Sequence, residues 1–245
     1  MRLFKAEAQV LSIHDLQEAD RIVSVLTSEH GRVRGVAKGS KRKFSRFAAP
    51  LHPLAKVQAS WAEKQSDLVR FSSLDLLRPA DGLHQDLETI LYASYVADQA
   101  ETFAQEGESA PDLYRLLDRV VTALLAGGDR AAIVRYFELW VLRLAGLMGE
   151  PAACASCGKL LEDRAAIGPD GFVCGDCGGD ETIGRQALGF IVLSRRRSPE
   201  NLVELQWPAE VLAEVEAVCA TIRRRFLNTE LRSYSILKQL LQESP

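Results

Sequence analysis

The chain has 245 residues, 47% of them hydrophobic and 26% charged, which is ordinary for a soluble globular protein and leaves room for two modest domains. No apolar run approaches the roughly 20 residues that span a bilayer, and the opening MRLFKAEAQV lacks the apolar core of a secretory signal; no membrane is expected, and the cytoplasm of a prokaryote or an organelle is the expected location. The net charge of −3 conceals an asymmetry, since residues 1–80 carry 14 Lys and Arg against 8 Asp and Glu and the remainder carries 16 against 25, which predicts that only the first part meets a polyanion.

The first 80 residues read as strands. KAEAQVLSI, RIVSVLTS, RVRGVAK, LAKVQASWAE and DLVRFSSLDL are short, rich in β-branched or aromatic residues, and separated by turn material such as HDLQEAD and SEHG. In LAKVQASW the alternation puts Ala55, Val57, Ala59 and Trp61 on one face and Lys56, Gln58 and Ser60 on the other. Five strands in this length predict a closed OB-fold barrel, a fold that commonly binds oligonucleotides, with a small sandwich as the competing architecture.

After Pro79 the period changes from 2 to 3.6. Leu83, Leu87, Ile90, Leu91 and Tyr95 share one helical stripe; Leu113, Leu116, Leu117, Val120 and Leu124 share another. A third helix, with Ile133, Phe137, Trp140, Val141, Leu144, Leu147 and Met148 on its apolar face, runs from Asp129 to a stop at Gly149–Pro151. Helices resume with GRQALGFIVLS, PAEVLAEVEAVCATIRRRF and TELRSYSILKQLLQ. The expected architecture is α+β and multi-domain: an OB-fold barrel over 1–80, then an α-helical domain over 81–245 that contains a cysteine module at 151–183.

That module, CASCGKLLEDRAAIGPDGFVCGDC, holds two Cys-x-x-Cys pairs. A tight turn brings both sulfurs of each pair to one side, so two such knuckles complete a tetrahedron of thiolates, the arrangement of structural zinc sites. Cys154, Cys157, Cys174 and Cys177 are therefore the candidate ligands of one Zn2+, with a spacing that suits a four-cysteine site. Disulfides would need an oxidising compartment, and a thioredoxin-like redox centre uses a single pair. An iron–sulfur cluster could use the same four thiolates. Four cysteines close the coordination sphere, so the ion is structural rather than catalytic. Cys219, at helical spacing with Val211, Val215 and Val218, reads as a small core residue.

The segment from Arg32 to Lys56 contains Arg32, Arg34, Lys38, Lys41, Arg42, Lys43, Arg46 and Lys56 and no Asp or Glu. On a strand Arg32, Arg34 and Lys38 share a face, with Val33, Gly35 and Ala37 turned inward. Phe44 and Phe47 interleave with the cations, as where bases stack on rings while Lys and Arg track phosphates. These eight cations are the candidate nucleic-acid contacts; with no recognition helix in view, binding should be backbone-driven and salt-sensitive. The Walker spacing is absent from GVAKGSK. Arg195–Arg197 and Arg223–Arg225 sit toward helix C-termini, where capping is the favoured role, although either could extend a DNA track. The four histidines are scattered, with no metal spacing and no nucleophile–base pattern, so no enzymatic activity is expected.

The order of these features, KGSKRKFSRFAAPLHPL in a basic barrel, then CASCG and CGDC within a helical domain, then LRSYSILKQLL, resembles the RecO family of recombination mediators over the whole chain. The resemblance implies a bacterial, nucleoid-associated DNA repair protein without catalytic turnover. Such a protein binds single- and double-stranded DNA, anneals complementary strands, and with RecR helps load RecA onto strands coated by single-stranded DNA-binding protein (SSB). It implies DNA contacts at the eight cations and zinc ligands at the four cysteines. Two other readings of the residues stand beside it: a zinc-stabilised RNA-binding or ribosome-associated factor, and a scaffold whose acidic helical domain meets proteins.

Overall fold

The computed structural model describes residues 3–43, 45, 47, 52–62 and 68–242. Five strands, β1 (Leu3–Asp15), β2 (Arg21–Thr27), β3 (Gly31–Ala37), β4 (Lys56–Ala62) and β5 (Val69–Arg78), form a closed barrel in the order β1-β2-β3-β5-β4. This is the OB-fold arrangement, as the sequence predicted. Closure depends on β1, which is long enough to serve two partners. Its first half, Leu3 to Gln9, pairs antiparallel with β4, and its second half, from Ala8, pairs with β2 across a bulge between Val10 and Ser12.

The other seam is the parallel contact of β3 with β5, where Gly35 faces Val69 and Val36 faces Arg70. Glycine is needed there: a Cβ on Gly35 would lie 2.5 Å from Val69 Cγ2 and 2.8 Å from the Phe71 ring. Inward residues of every strand fill the barrel, among them Val10, Val25, Val33, Val57, Ala59, Trp61 and Phe71. Where β1 begins and β4 ends, Phe4 stacks on Trp61 at 5.5 Å, and His30 of the β2–β3 turn meets the Trp61 edge at 5.4 Å.

The helices are α1 (Leu87–Phe103), α2 (Pro111–Leu125), α3 (Arg130–Leu144), α4 (Arg185–Leu193), α5 (Pro199–Val203), α6 (Ala209–Leu227) and α7 (Arg232–Gln242). Asp86 and Asp129 cap α1 and α3, their carboxylates accepting from the Thr89 and Ala132 amides. The chain folds into two compact units. Residues 1–121 with 233–245 form the first, and 122–232 form the second. In the first, the barrel is accompanied by α1, most of α2, and α7, whose Tyr234 ring lies 5.3 Å from that of Tyr95.

In the second unit α3 is buried on nearly every side. It stops at Leu144, one turn before the predicted end. Gly146 adopts φ +70° and donates to Arg143 O while the Leu147 amide donates to Leu142 O, a Schellman closure that the apolar pattern running on to Met148 conceals. Two features were not predicted: the short helix α5, and a three-stranded sheet inside the cysteine module. Its strands are β6 (Arg164–Gly168), β7 (Gly171–Val173) and β8 (Asp180–Gly184), in the order β7-β6-β8. Among the described residues no helix is long and apolar enough to cross a membrane.

Candidate nucleic-acid interface and metal centre

The basic segment is free of acids in sequence, but not in space. Arg32 donates to Glu101 O at 2.9 Å and lies 3.6 Å from Glu106. Lys41 is 2.8 Å from Asp15. Lys56 is 3.0 Å from Glu7 and 3.5 Å from Asp118, which also holds Arg78 at 2.9 Å and accepts from Gln9 Nε2. Glu101 and Glu106 come from the end of α1 and the turn beyond it, and Asp118 from α2. Asp118 of α2 and Glu106 beyond α1 are thus met by barrel cations, while Lys41 and Lys56 also pair with the barrel's own Asp15 and Glu7. Arg32, Lys41 and Lys56 are thus partly or wholly committed to the fold.

Arg34, Lys38 and Arg42 are different. Each is exposed, and none has an ion pair among the described residues. Arg34 projects from the outer face of β3, with Val33, Gly35 and Ala37 buried behind it, whereas β3 ends at Ala37 and Lys38 is exposed in the turn that follows rather than on the strand. Arg42 follows in the turn after β3, where Gly39 N–H donates to Asp20 at 2.7 Å and the Lys41 amide donates to Ala19 O. That turn is thereby fastened to the β1–β2 hairpin, and its cations are displayed from a fixed base. Lys43 is exposed in the same turn. Arg46 and Phe44 lie outside the described residues.

Phe47 requires a correction. It is 0% exposed and belongs to the core, so it cannot offer a ring to a base. Aromatic residues between cations mark a stacking surface only where the chain leaves them outward, and here the chain turns Phe47 in.

The four module cysteines converge. Their Sγ atoms all lie within 4.8 Å of one another, and Cys157 and Cys174 are 3.7 Å apart. A thiolate tetrahedron around zinc, with bonds of about 2.3 Å, has edges of about 3.8 Å, so the donor set fits that ion. Each knuckle closes on a glycine in the left-handed region, Gly158 at φ +75° and Gly178 at φ +70°. Cys154 and Cys174 are buried, whereas Cys157 and Cys177 face outward. Hydrogen bonds from the backbone at Cys174, Cys157 and Ser156 push the Cys154 thiol down to about 6, while those with Cys157, Cys174 and Cys154 push Cys177 up to about 12. Four thiolates this close repel one another, and a divalent cation relieves that repulsion.

The module is anchored to α6. Arg225 donates to Gly168 O at 2.6 Å and lies 2.6 Å from Asp180, while the Gly184 amide donates to Glu214 at 2.7 Å. Arg225 is therefore a clamp on the module rather than a helix cap. Arg223, expected to cap as well, is 1% exposed and lies 3.3 Å from Glu138 and 2.8 Å from Glu230. Glu138 in turn holds Arg135 at 2.8 Å, and Arg135 reaches Glu216 at 3.0 Å. Cys219 is fully buried beside this network, as a core residue, and burial pushes its thiol well up. Neither α3 nor α6 signals such a network in sequence, because charges on a helix ordinarily face water.

An OB-fold barrel displaying unpaired cations, together with a helical unit built around a four-thiol cluster, defines a class of OB-fold proteins with an added cysteine module. The chain belongs to the RecO family: the family model described as Recombination protein O N terminal matches residues 1–80, and Recombination protein O C terminal matches residues 84–235. It is 29% identical over 246 residues to the DNA repair protein RecO of Koribacter versatilis, covering 97% of this chain and 99% of that relative. It is 30% identical to the DNA repair protein RecO of Geobacter metallireducens, over 98% of this chain and 99% of the relative. With the DNA repair protein RecO of Anaeromyxobacter sp. (strain K) the identity is 36%, over 71% of this chain and 70% of the relative.

Proposed function

We propose that this chain is a non-catalytic DNA repair protein that binds single- and double-stranded DNA through its barrel and anneals complementary strands. With RecR, it helps load RecA onto SSB-coated single strands. Family membership supports the cellular role, and the observation that carries the DNA-binding part is the set of exposed, acid-free cations Arg34, Lys38 and Arg42 on one side of an OB barrel.

The physical basis is neutralisation. Two strands repel through their phosphates, and a cationic face that displaces condensed counterions brings them together without choosing a sequence. Each phosphate neutralised on a single strand adds about −0.7 to the slope of log K against log salt, so three contacts give roughly −2. The four cysteines hold one Zn2+ in a closed site, which cross-links the knuckles and leaves no coordination position for chemistry.

The test is binding of labelled single-stranded DNA across a salt series, comparing the wild type with Arg34, Lys38, Arg42 and Lys43 changed together to Glu. Collapse of affinity with an intact fold is expected. Unchanged binding would place the DNA surface away from the barrel.

A further inference from the structure

The β3–β5 seam brings a cation to the basic face that lies far from it in sequence. Arg70 pairs across the parallel seam with Val36, the outward residue between Arg34 and Lys38. It is exposed and, like those two, has no ion pair among the described residues. On the other side of β3, Val36 pairs with Ile22, and both are half-buried. The outer face thus carries a short apolar strip, Ile22 and Val36, flanked by Arg34 on β3, by Lys38 in the turn directly after β3, and by Arg70 on β5.

Resting on the DNA-binding reading above, we propose that Arg70 is a further DNA-binding residue, and that Arg34, Arg70 and Lys38 form one row that takes three successive phosphates of a single strand lying along β3. The apolar strip argues for a single strand. Positions 34 and 36 of β3 lie ~6.6 Å apart, from a rise of about 3.3 Å per residue, and Arg70 stands level with position 36 one strand away, about 4.8 Å to the side, which puts its backbone about 8 Å from that of Arg34; Lys38 follows in the turn directly after β3. Long, flexible Arg and Lys side chains at positions so spaced reach successive phosphates of a strand lying along β3. A duplex keeps its bases paired inward, away from the Ile22–Val36 strip, whereas a single strand is free to turn them onto it. The Ile22–Val36 strip then faces the sugars and bases.

The test uses the full chain with Arg70→Gln, Arg34→Gln and Lys38→Gln made singly, Arg70→Lys to retain the charge, and Lys5→Gln on β1 as a control. Anisotropy of a labelled oligo-dT and of a duplex of equal length is followed across a salt series. Arg70→Gln is expected to weaken oligo-dT binding roughly tenfold and flatten the salt slope by about 0.7, with a smaller loss on the duplex. Arg70→Lys should restore the slope, and Lys5→Gln should match the wild type. Wild-type behaviour of Arg70→Gln while Arg34→Gln and Lys38→Gln lose affinity would overturn the assignment of Arg70 alone. An equal loss on duplex and single strand would overturn the single-strand row. If neither Arg34→Gln nor Lys38→Gln alters binding, the barrel reading fails and the row fails with it.

Discussion

The Lys56 ammonium lies 3.5 Å from the Asp118 carboxylate and 3.0 Å from Glu7, so a cation of the basic segment is held within the first unit. Its side chain also lies over the Tyr114 ring at 5.8 Å. Burial opposes the charge on Lys56, but Glu7, Tyr114 and Asp118 together raise its pKa above the ordinary 10.5; burial likewise raises the Tyr114 hydroxyl above 10.0. Both groups hold their protons more tightly folded than unfolded. Their stabilisation is complete below the unfolded values and is lost as pH rises through the folded ones. The barrel's melting temperature should therefore hold up to about pH 10 and drop as pH rises above it, and Tyr114→Phe should lessen the drop. Thermal melts followed through Trp61 check this.

Phe47→Ala should cost about 3–5 kcal/mol of barrel stability, as for other buried aromatics. Chemical denaturation reads the loss. Were Phe47 a stacking residue, stability would be unchanged and DNA affinity alone would fall.

Arg223→Ala should destabilise the second unit by about 3–5 kcal/mol, because it leaves the buried Glu138 with Arg135 alone and Glu230 with only the distant, exposed Arg224. Arg224→Ala, at a side chain 64% exposed with its carboxylate 3.9 Å away, should stay within about 0.5 kcal/mol of wild type. Urea denaturation followed by Trp140 and Trp207 fluorescence separates the two.

Removing the metal should act locally. With a strong chelator, amides of β6 and β7 should lose protection from hydrogen exchange while those of β2 and β3 keep theirs, because the thiolate cross-link holds only the module. Cys154→Ser should reproduce the effect and reduce the bound zinc from about one ion per chain.

The parts legible in sequence were those whose pattern is local. Strand β4 announces itself by the alternation ending at Trp61, and the cysteine cluster by its spacing, since a Cys-x-x-Cys turn brings its two sulfurs together whatever surrounds it. What escaped depended on partners distant in the chain. Lys56 looked free because Asp118 belongs to α2, and Arg70 was not among the candidate contacts because the parallel seam that joins it to Val36 spans only two residue pairs. The sheet of the cysteine module was concealed by strands of three to five residues with glycines at their ends, too short to show a period. Arg135 and Glu138 were invisible as core because only their mutual pairing, and that with Arg223 and Glu216, makes burial tolerable.

The central claim is that unpaired barrel cations, not merely basic residues, bind DNA. The most direct measurement compares two triple variants of equal charge change on single-stranded DNA over a salt series: Arg34, Lys38 and Arg42 to Gln, and Arg32, Lys41 and Lys56 to Gln, each checked for retained fold. The account predicts that the first loses affinity and flattens the slope by about 2, while the second keeps a slope close to wild type. Equal losses in the two variants would contradict it, showing that net charge alone, and not the partition between paired and unpaired cations, governs binding.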